Sequence, residues 1–431
     1  TEGNPLFVTE VVRLLVQEGD LRADPSAGSG QTGKRESWTV RIPEGVREVI
    51  GRRLNRLSAR CNETLTLASI IGRQFESRQL RPLIEDMSED RLLEVLEEAL
   101  AARVIEELPR SVGRYQFSHA LIQETLSQEM STTRRVRLHA RIAEMLENLY
   151  GDQAETHAAE RAHHLAQAQP MLGTDKLVRY SLLAGERALA AYAWEEALAL
   201  FQRGLSAKGV PLEGSEPAED AEAARLLFGL GRAQTALFPY QPGNAQEAVA
   251  YLKRAFEYYI HAGQRDLAVA IAEYPVSLLV GDRAGLDGLV SPALQMVASN
   301  SLQECRLLAT RGSVKGLEDG DYQAAESAFQ KALAIAVQAR DQALEMRTLA
   351  EAAQVDFYHL RYPEAMQKSR RVLELSRTLA DPRPETTARY CDTFARLATG
   401  DLEVARDHTA ALLAVAERLR DRFWLSVKLS F

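Results

Sequence analysis

The stretch from Gly28 to Arg35, GSGQTGKR, comes within one residue of the phosphate loop GxxxxGK[ST]. In that loop, backbone amides and a lysine cradle a nucleotide's phosphates while a hydroxyl holds magnesium. Three features remove the stretch from that class. Arg35 stands in the hydroxyl position, no apolar strand leads into Gly28, and no helical apolar pattern follows Lys34, so the sequence predicts a solvated loop. Four histidines, His139, His157, His163 and His164, invite a metal-site reading. His163 and His164 are adjacent and so point to different faces of one helix. His157 and His164 share a face but no carboxylate partner is specified, which leaves packing as the reading. Two arginine runs, Arg47 to Arg60 and Arg134 to Arg141, have the charge for DNA contacts, yet Glu44, Glu48 and Glu63 are interleaved with the first. No Ser/His/Asp or Cys/His nucleophile set can be assembled, so the chain by itself is not expected to catalyse.

The elements that must position these groups are helical. The chain has 431 residues, 46% hydrophobic and 26% charged, with 52 basic against 60 acidic residues and a formal net charge of −8. That mildly acidic balance does not favour non-specific attraction to phosphate backbones or anionic lipid. Cys61, Cys305 and Cys391 are too scattered for a disulfide scaffold or a cysteine-zinc site, which fits a cytoplasmic setting. No run of apolar residues is long enough for a membrane span, and a basic-then-apolar leader is not expected. A helix begins almost at Thr1 and Phe431 still lies in a helical pattern, so a piece of a longer protein is expected.

Pro5, Leu6, Phe7, Val11, Leu14 and Leu15 predict one amphipathic helix in residues 1–23, and residues 24–41 a flexible loop. Residues 42–150 read as helices Glu44 to Leu57, Cys61 to Ile71, Ser77 to Glu85 and Glu89 to Ala101. A two-stranded hairpin around Val104 to Leu108 and Tyr115 to Phe117 follows, then helices Ser118 to Glu129 and Thr133 to Leu149. Helices followed by one hairpin is a winged-helix pattern.

From residue 151 to 431 only helical patterns remain, and they repeat. Gly320-Asp321-Tyr322 with Ala325, Phe329, Ala332 and Leu333 recurs as Leu360-Arg361-Tyr362 with Ala365, Ser369, Val372 and Leu373. It recurs again as Gly400-Asp401-Leu402 with Ala405, Thr409, Leu412 and Leu413. Looser copies occur at Trp194, Ala197, Phe201 and Leu205 and at Ala248, Leu252, Ala255 and Phe256. This resembles the tetratricopeptide repeat from about Asp175 onward, with a longer period. The fold class expected is therefore mainly α: a winged-helix domain with one small β-hairpin, then a tetratricopeptide-like α-solenoid. Such repeats imply a protein or peptide ligand in the repeat groove.

Gly3-Asn4-Pro5-Leu6-Phe7 at a helix start adds a second resemblance. Together with Arg53-Leu54 and Leu57, Ala68 with Ile71-Gly72 and Phe75, and Phe117 with His119, Leu121-Ile122 and Glu124, it is similar in order and spacing to STAND-class signalling ATPases. These are AAA+-related proteins of the kind found beside bacterial cyclase, kinase or LuxR-type DNA-binding domains. The resemblance implies that residues 1–23 are the last helix of a nucleotide-binding module, with ATP or ADP as the full-length protein's cofactor. It implies that Gly3, Asn4 and Pro5 sit beside the base, and that His119 sits near the phosphates although Ala120 replaces the family's acid. The fragment then reads as a regulatory sensor whose repeats bind a protein or ligand and whose winged helix relays to an upstream nucleotide module. Nucleic acid and membrane are not expected as partners. The alternative is a stand-alone repeat scaffold or a DNA-binding transcriptional regulator.

Overall fold

In this computed structural model the described residues are Gly51, 54–84, 87–109, 111–151, 156–237, 243–276, 284–379 and 381–419. The chain divides into two compact units between Lys176 and Leu177.

The first unit begins with α1 (Ala59–Ile71), whose Ser58 side chain accepts from the Cys61 amide and so starts the helix. Strand β1 (Gln74–Glu76) follows, then the short α2 (Ser77–Leu80) and a 3-10 turn, Arg81–Leu83. The expected helix from Ser77 to Glu85 is broken here because Pro82 has no N–H to continue the α-helical ladder. Helix α3 (Glu89–Ala101) is capped by Ser88. Strands β2 (Ile105–Glu107) and β3 (Arg114–Phe117) come next.

The sheet has three strands, in the order β1-β3-β2, where the sequence suggested two. Both outer strands run antiparallel to β3, with Phe75 opposite Tyr115 and Ile105 opposite Phe117. Gln-Phe-Glu is too short to display a two-residue period, so β1 forms through its partner rather than its own pattern. Phe75 sits 5.9 Å from the Tyr115 ring and 5.6 Å from Phe117, within a core that includes Leu65, Leu96 and Ile142.

Helices α4 (Ala120–Gln128) and α5 (Thr132–Tyr150) complete that core. Helix α6 (Ala158–Gln167) packs on α5 through Ala158, Ala162, His164 and Leu165, and α7 (Gln169–Leu172) follows. Residues 156–176 thus belong with the first unit, beyond residue 150.

The second unit is a succession of helices that fall into consecutive pairs. They are α8 (Asp175–Ala190) with α9 (Trp194–Ala207), α10 (Ala221–Leu237) with α11 (Asn244–His261), and α12 (Arg265–Ala272) with α13 (Asp287–Leu294). Then come α14 (Leu302–Ser313) with α15 (Tyr322–Ala339), α16 (Gln342–Tyr358) with α17 (Tyr362–Leu375), and α18 (Pro382–Thr399) with α19 (Leu402–Leu419). The fold is mainly α, with a tetratricopeptide-like solenoid in this unit.

Repeat chemistry recurs at each joint. Ser301, Asp341 and Asp381, forty residues apart, cap α14, α16 and α18 with their side chains. Ala325, Ala365 and Ala405 are buried at the matching position of the second helices. At the turn between helices, Gly320, Leu360 and Gly400 all have positive φ, of 72°, 59° and 88°. First helices touch their neighbours directly, α14 on α16 and α16 on α18.

Candidate functional site

Of the residues expected to meet a nucleotide, Gly3, Asn4 and Pro5 lie outside the described residues, as do Gly28 to Arg35 and the basic pair Arg52 and Arg53. His119 is the N-cap of α4, exposed, with extended backbone at φ −139° and ψ 139°, and its side chain does not cap the helix. Of that expected set, His119 alone falls among the described residues.

The remaining histidines meet on α5 and α6. His163 is exposed and His164 buried, on different faces of α6, while His139 reaches across from α5 so that its Nδ1 lies 2.8 Å from Nδ1 of His164. That separation is a hydrogen bond between rings. His157 stacks on Tyr150 with centroids 3.5 Å apart and approaches Glu160 at 3.3 Å.

Within the basic runs, Arg60 pairs with Glu63 at 3.5 Å, and Arg141 donates to the Leu83 carbonyl at 3.2 Å. Helix α3 follows the α1–β1–α2 segment and precedes the β2–β3 hairpin. It exposes Glu89, Asp90, Glu94 and Glu97 against Arg91 alone, and Arg91 pairs with Glu94.

A different surface emerges in the second unit, on the first helix of each pair. On α16, Arg347, Glu351, Gln354 and Tyr358 are spaced four, three and four apart, which puts them on one stripe. Arg383, Thr387, Tyr390 and Phe394 repeat that spacing on α18. Tyr358 hydrogen-bonds Tyr390, joining the two stripes, and Tyr390 lies 4.6 Å from the Phe394 ring. On α14, Ser313 donates to Glu351 at 3.3 Å, and Glu351 also accepts from Arg347 at 3.0 Å. Further back, Arg306 of α14 pairs with Glu273 at 3.4 Å. Arg232 of α10 pairs with Glu186 of α8 and stands 4.5 Å above the Phe228 ring.

Tyr274, next to Glu273, meets Phe228 edge-on at 6.0 Å. Burial raises its phenol, while Arg383 of α18 and Arg232 of α10 pull the other way. Arg232 and Arg383, more than one hundred residues apart in sequence, therefore both act on the Tyr274 hydroxyl, and the face on which these first-helix stripes meet is taken as the inward face of this unit. Apart from the exposed Arg383, the side chains along it are half-buried, several of them in Arg–Glu pairs and interspersed with aromatic rings. Such a surface offers hydrogen bonds to a polypeptide backbone and flat rings for its side chains.

The sequence reading did not find this face. The spacing of Arg347 to Glu351 and Glu385 to Arg389 was visible as ordinary helix pairs. The links from α8 to α10, α12 to α14 and α14 to α16 depend on how the repeats stack.

The fold defines a helical-repeat protein with a small helix-and-sheet unit ahead of the repeats. Among solved structures the chain is similar to a Signal Transduction ATPase with Numerous Domains (STAND) protein with a tetratricopeptide repeat sensor from Pyrococcus horikoshii. Identity is 17% and the TM-score is 0.37, over 86% of this chain; the chain spans 59% of that protein's length. No protein-family model matches the sequence, and no curated protein does.

Proposed function

We propose that this chain is the sensing and relay part of a STAND-class signalling ATPase, with the second unit binding a protein or peptide on its inward face. The observation that carries the reading is that face: half-buried Arg–Glu pairs and aromatic rings running across the first helices from α8 to α18. Paired charges held at the rim of aromatic surface are what a selective protein-binding site requires, because each ligand group must match a fixed donor or acceptor.

The first unit is read as a winged helix, from its helix–strand–helix–helix–strand–strand order and its β1-β3-β2 sheet. Its α3 occupies the place of a groove-reading helix, yet four exposed acids there would meet the phosphates with like charge. That favours a relay through protein contacts over DNA binding. Support for the nucleotide connection is the ordered motif set from Gly3 to Glu124, and the catalytic phosphate loop is assigned to an upstream module.

Probing a peptide array with the whole chain tests the sensing role. A discrete set of peptides is expected to bind, and Arg347→Glu or Tyr390→Ala is expected to weaken them about tenfold or more. Indifference of every bound peptide to both substitutions would move the site elsewhere. ATP turnover is expected to be undetectable, and turnover by the purified chain would overturn the assignment of the chemistry to another module. Salt-sensitive duplex-DNA affinity lost on neutralising Arg52 and Arg53 would favour the transcriptional-regulator alternative.

A further inference from the structure

We infer that the buried contact between His139 and His164 is an acid-sensitive latch that holds α6 against α5. Both rings are out of solvent, His139 6% exposed and His164 fully buried, and their Nδ1 atoms are 2.8 Å apart. A bond between two nitrogens of the same kind needs one to carry a proton and the other a lone pair. Two neutral rings in opposite tautomers meet that need. A first added proton puts a full charge in a buried site, although one Nδ1–H can still donate to the other ring. A second proton makes both Nδ1 atoms donors, and the bond is lost.

The surroundings give the added charge little help. Of the groups acting on His139, His163 of α6 and Arg135 of α5 both oppose its protonation, beyond the effect of burial. His139 and His163 likewise oppose that of His164, and only the Ile71 carbonyl at the end of α1 favours it. The three imidazoles lie close together, with centroids 5.1 to 5.9 Å apart. Burial is the main cause that pulls His139 down to about 4 and His164 to about 3. The site is therefore closed to protons while α6 is seated and open to them once it lifts.

Mechanically, α6 is the last long helix before the chain enters the repeats. Its remaining grip on α5 is the small apolar set Ala158, Ala162 and Leu165, the Arg161–Glu147 contact at 3.2 Å and the stack of His157 on Tyr150; that half-buried imidazole also faces α5, so the variant at His139 and His164 is what separates the latch from it.

The test is amide hydrogen exchange of the whole chain at about pH 7.5 and about pH 5.5, corrected for intrinsic rates, with α15 and α17 as internal references. Opening of α6 is expected to rise by at least about tenfold in acid relative to those helices, the factor for one proton taken up one unit below an ordinary imidazole pKa. The double variant His139→Gln with His164→Gln is expected to lose that response. Equal protection of α6 at both pH values, or an undiminished acid response in the variant, overturns the latch. Should the variant fail to fold, selectively labelled histidine rings in the wild-type chain decide by NMR. Rings that stay neutral until α6 opens support the latch, and rings that titrate normally while α6 stays protected refute it.

Discussion

Lys368 and His408 occupy one repeat position, forty residues apart, and each reaches back to a buried aspartate on the preceding first helix. Lys368 pairs with Asp356, and His408 Nδ1 lies 2.5 Å from Asp392 Oδ2. Both carboxylates are 2% exposed. The aspartates are thirty-six residues apart, so the second pair is shifted by one helical turn. Asp356 also accepts from the Tyr322 hydroxyl at 2.9 Å, and Asp392 from Arg396 at 2.8 Å. The repeats thus carry buried anions that receive a cationic or protonatable partner from the next helix, Asp392 in addition to Arg396 of its own helix, which ties α16 to α17 and α18 to α19.

Removing one partner of such a pair should cost more than removing both. Burial raises the Asp356 carboxyl, while Lys368 and Tyr322 hold it down. Lys368→Met leaves the carboxylate buried and unpaired, and a loss of about 3 kcal/mol is expected. Asp356→Leu combined with Lys368→Met is expected to lose less than Lys368→Met alone. Urea unfolding of the three chains measures this, and additive losses would mean that the pair is not coupled.

Stability of the first unit should fall on the acid side of neutrality. Unfolded histidines take up protons below about pH 6.5. The folded rings of His139 and His164 do so only near about 4 and about 3. Between those limits the unfolded state binds more protons, so stability is complete above about pH 6.5 and declines as pH falls toward 4. About 2 kcal/mol per ring is expected between about pH 7 and 5. Thermal unfolding of the whole chain across that range, compared with His164→Gln, reads the difference. A slope unchanged by the substitution would assign the acid effect to other groups.

The repeat architecture was legible in the sequence because Ala325, Ala365 and Ala405 recur with fixed period and all three are buried, so the same physical demand left the same residue each time. Strand β1 was not, since three residues cannot show alternation and Phe75 is held by β3 rather than by its own neighbours. The same limit hid the inward face. Arg232 and Glu186, or Ser313 and Glu351, are partners only after the helices stack, and local spacing contains no record of that. His119 shows the converse: its place at a helix start was readable, whereas its exposure was not.

Leu360 stands where the neighbouring repeats have Gly320 and Gly400, and it takes the same left-handed turn with φ of 59°. Its side chain is 70% exposed, so it has little burial to set against the strain. Leu360→Gly is expected to stabilise the repeats by up to about 1 kcal/mol, the strain relieved less the extra freedom of an unfolded glycine. The reciprocal change Gly400→Ala should cost about 1 kcal/mol, with nothing within 4 Å of the added carbon to confuse the comparison. Opposite signs in the two unfolding midpoints are the expected result, and equal signs would mean that this turn does not govern stability.

Two first helices close on one ring at the start of the repeats, and the closeness can be tested with a single methyl group. A Cβ on Gly229 of α10 would lie 2.3 Å from the Phe201 ring, and one on Gly185 of α8 would lie 2.6 Å from it. Phe201 is fully buried, so the ring has no free space into which to retreat. Gly229→Ala is therefore expected to lose about 1–3 kcal/mol by overpacking, despite alanine's better helix propensity. Pairing it with Phe201→Leu should recover part of that loss, because the smaller side chain vacates the contested volume. Unfolding midpoints of the single and double variants decide the matter. If the leucine variant shows no recovery, the glycine is required for some reason other than the ring, and the close helix crossing is not what sets the packing of α8, α9 and α10.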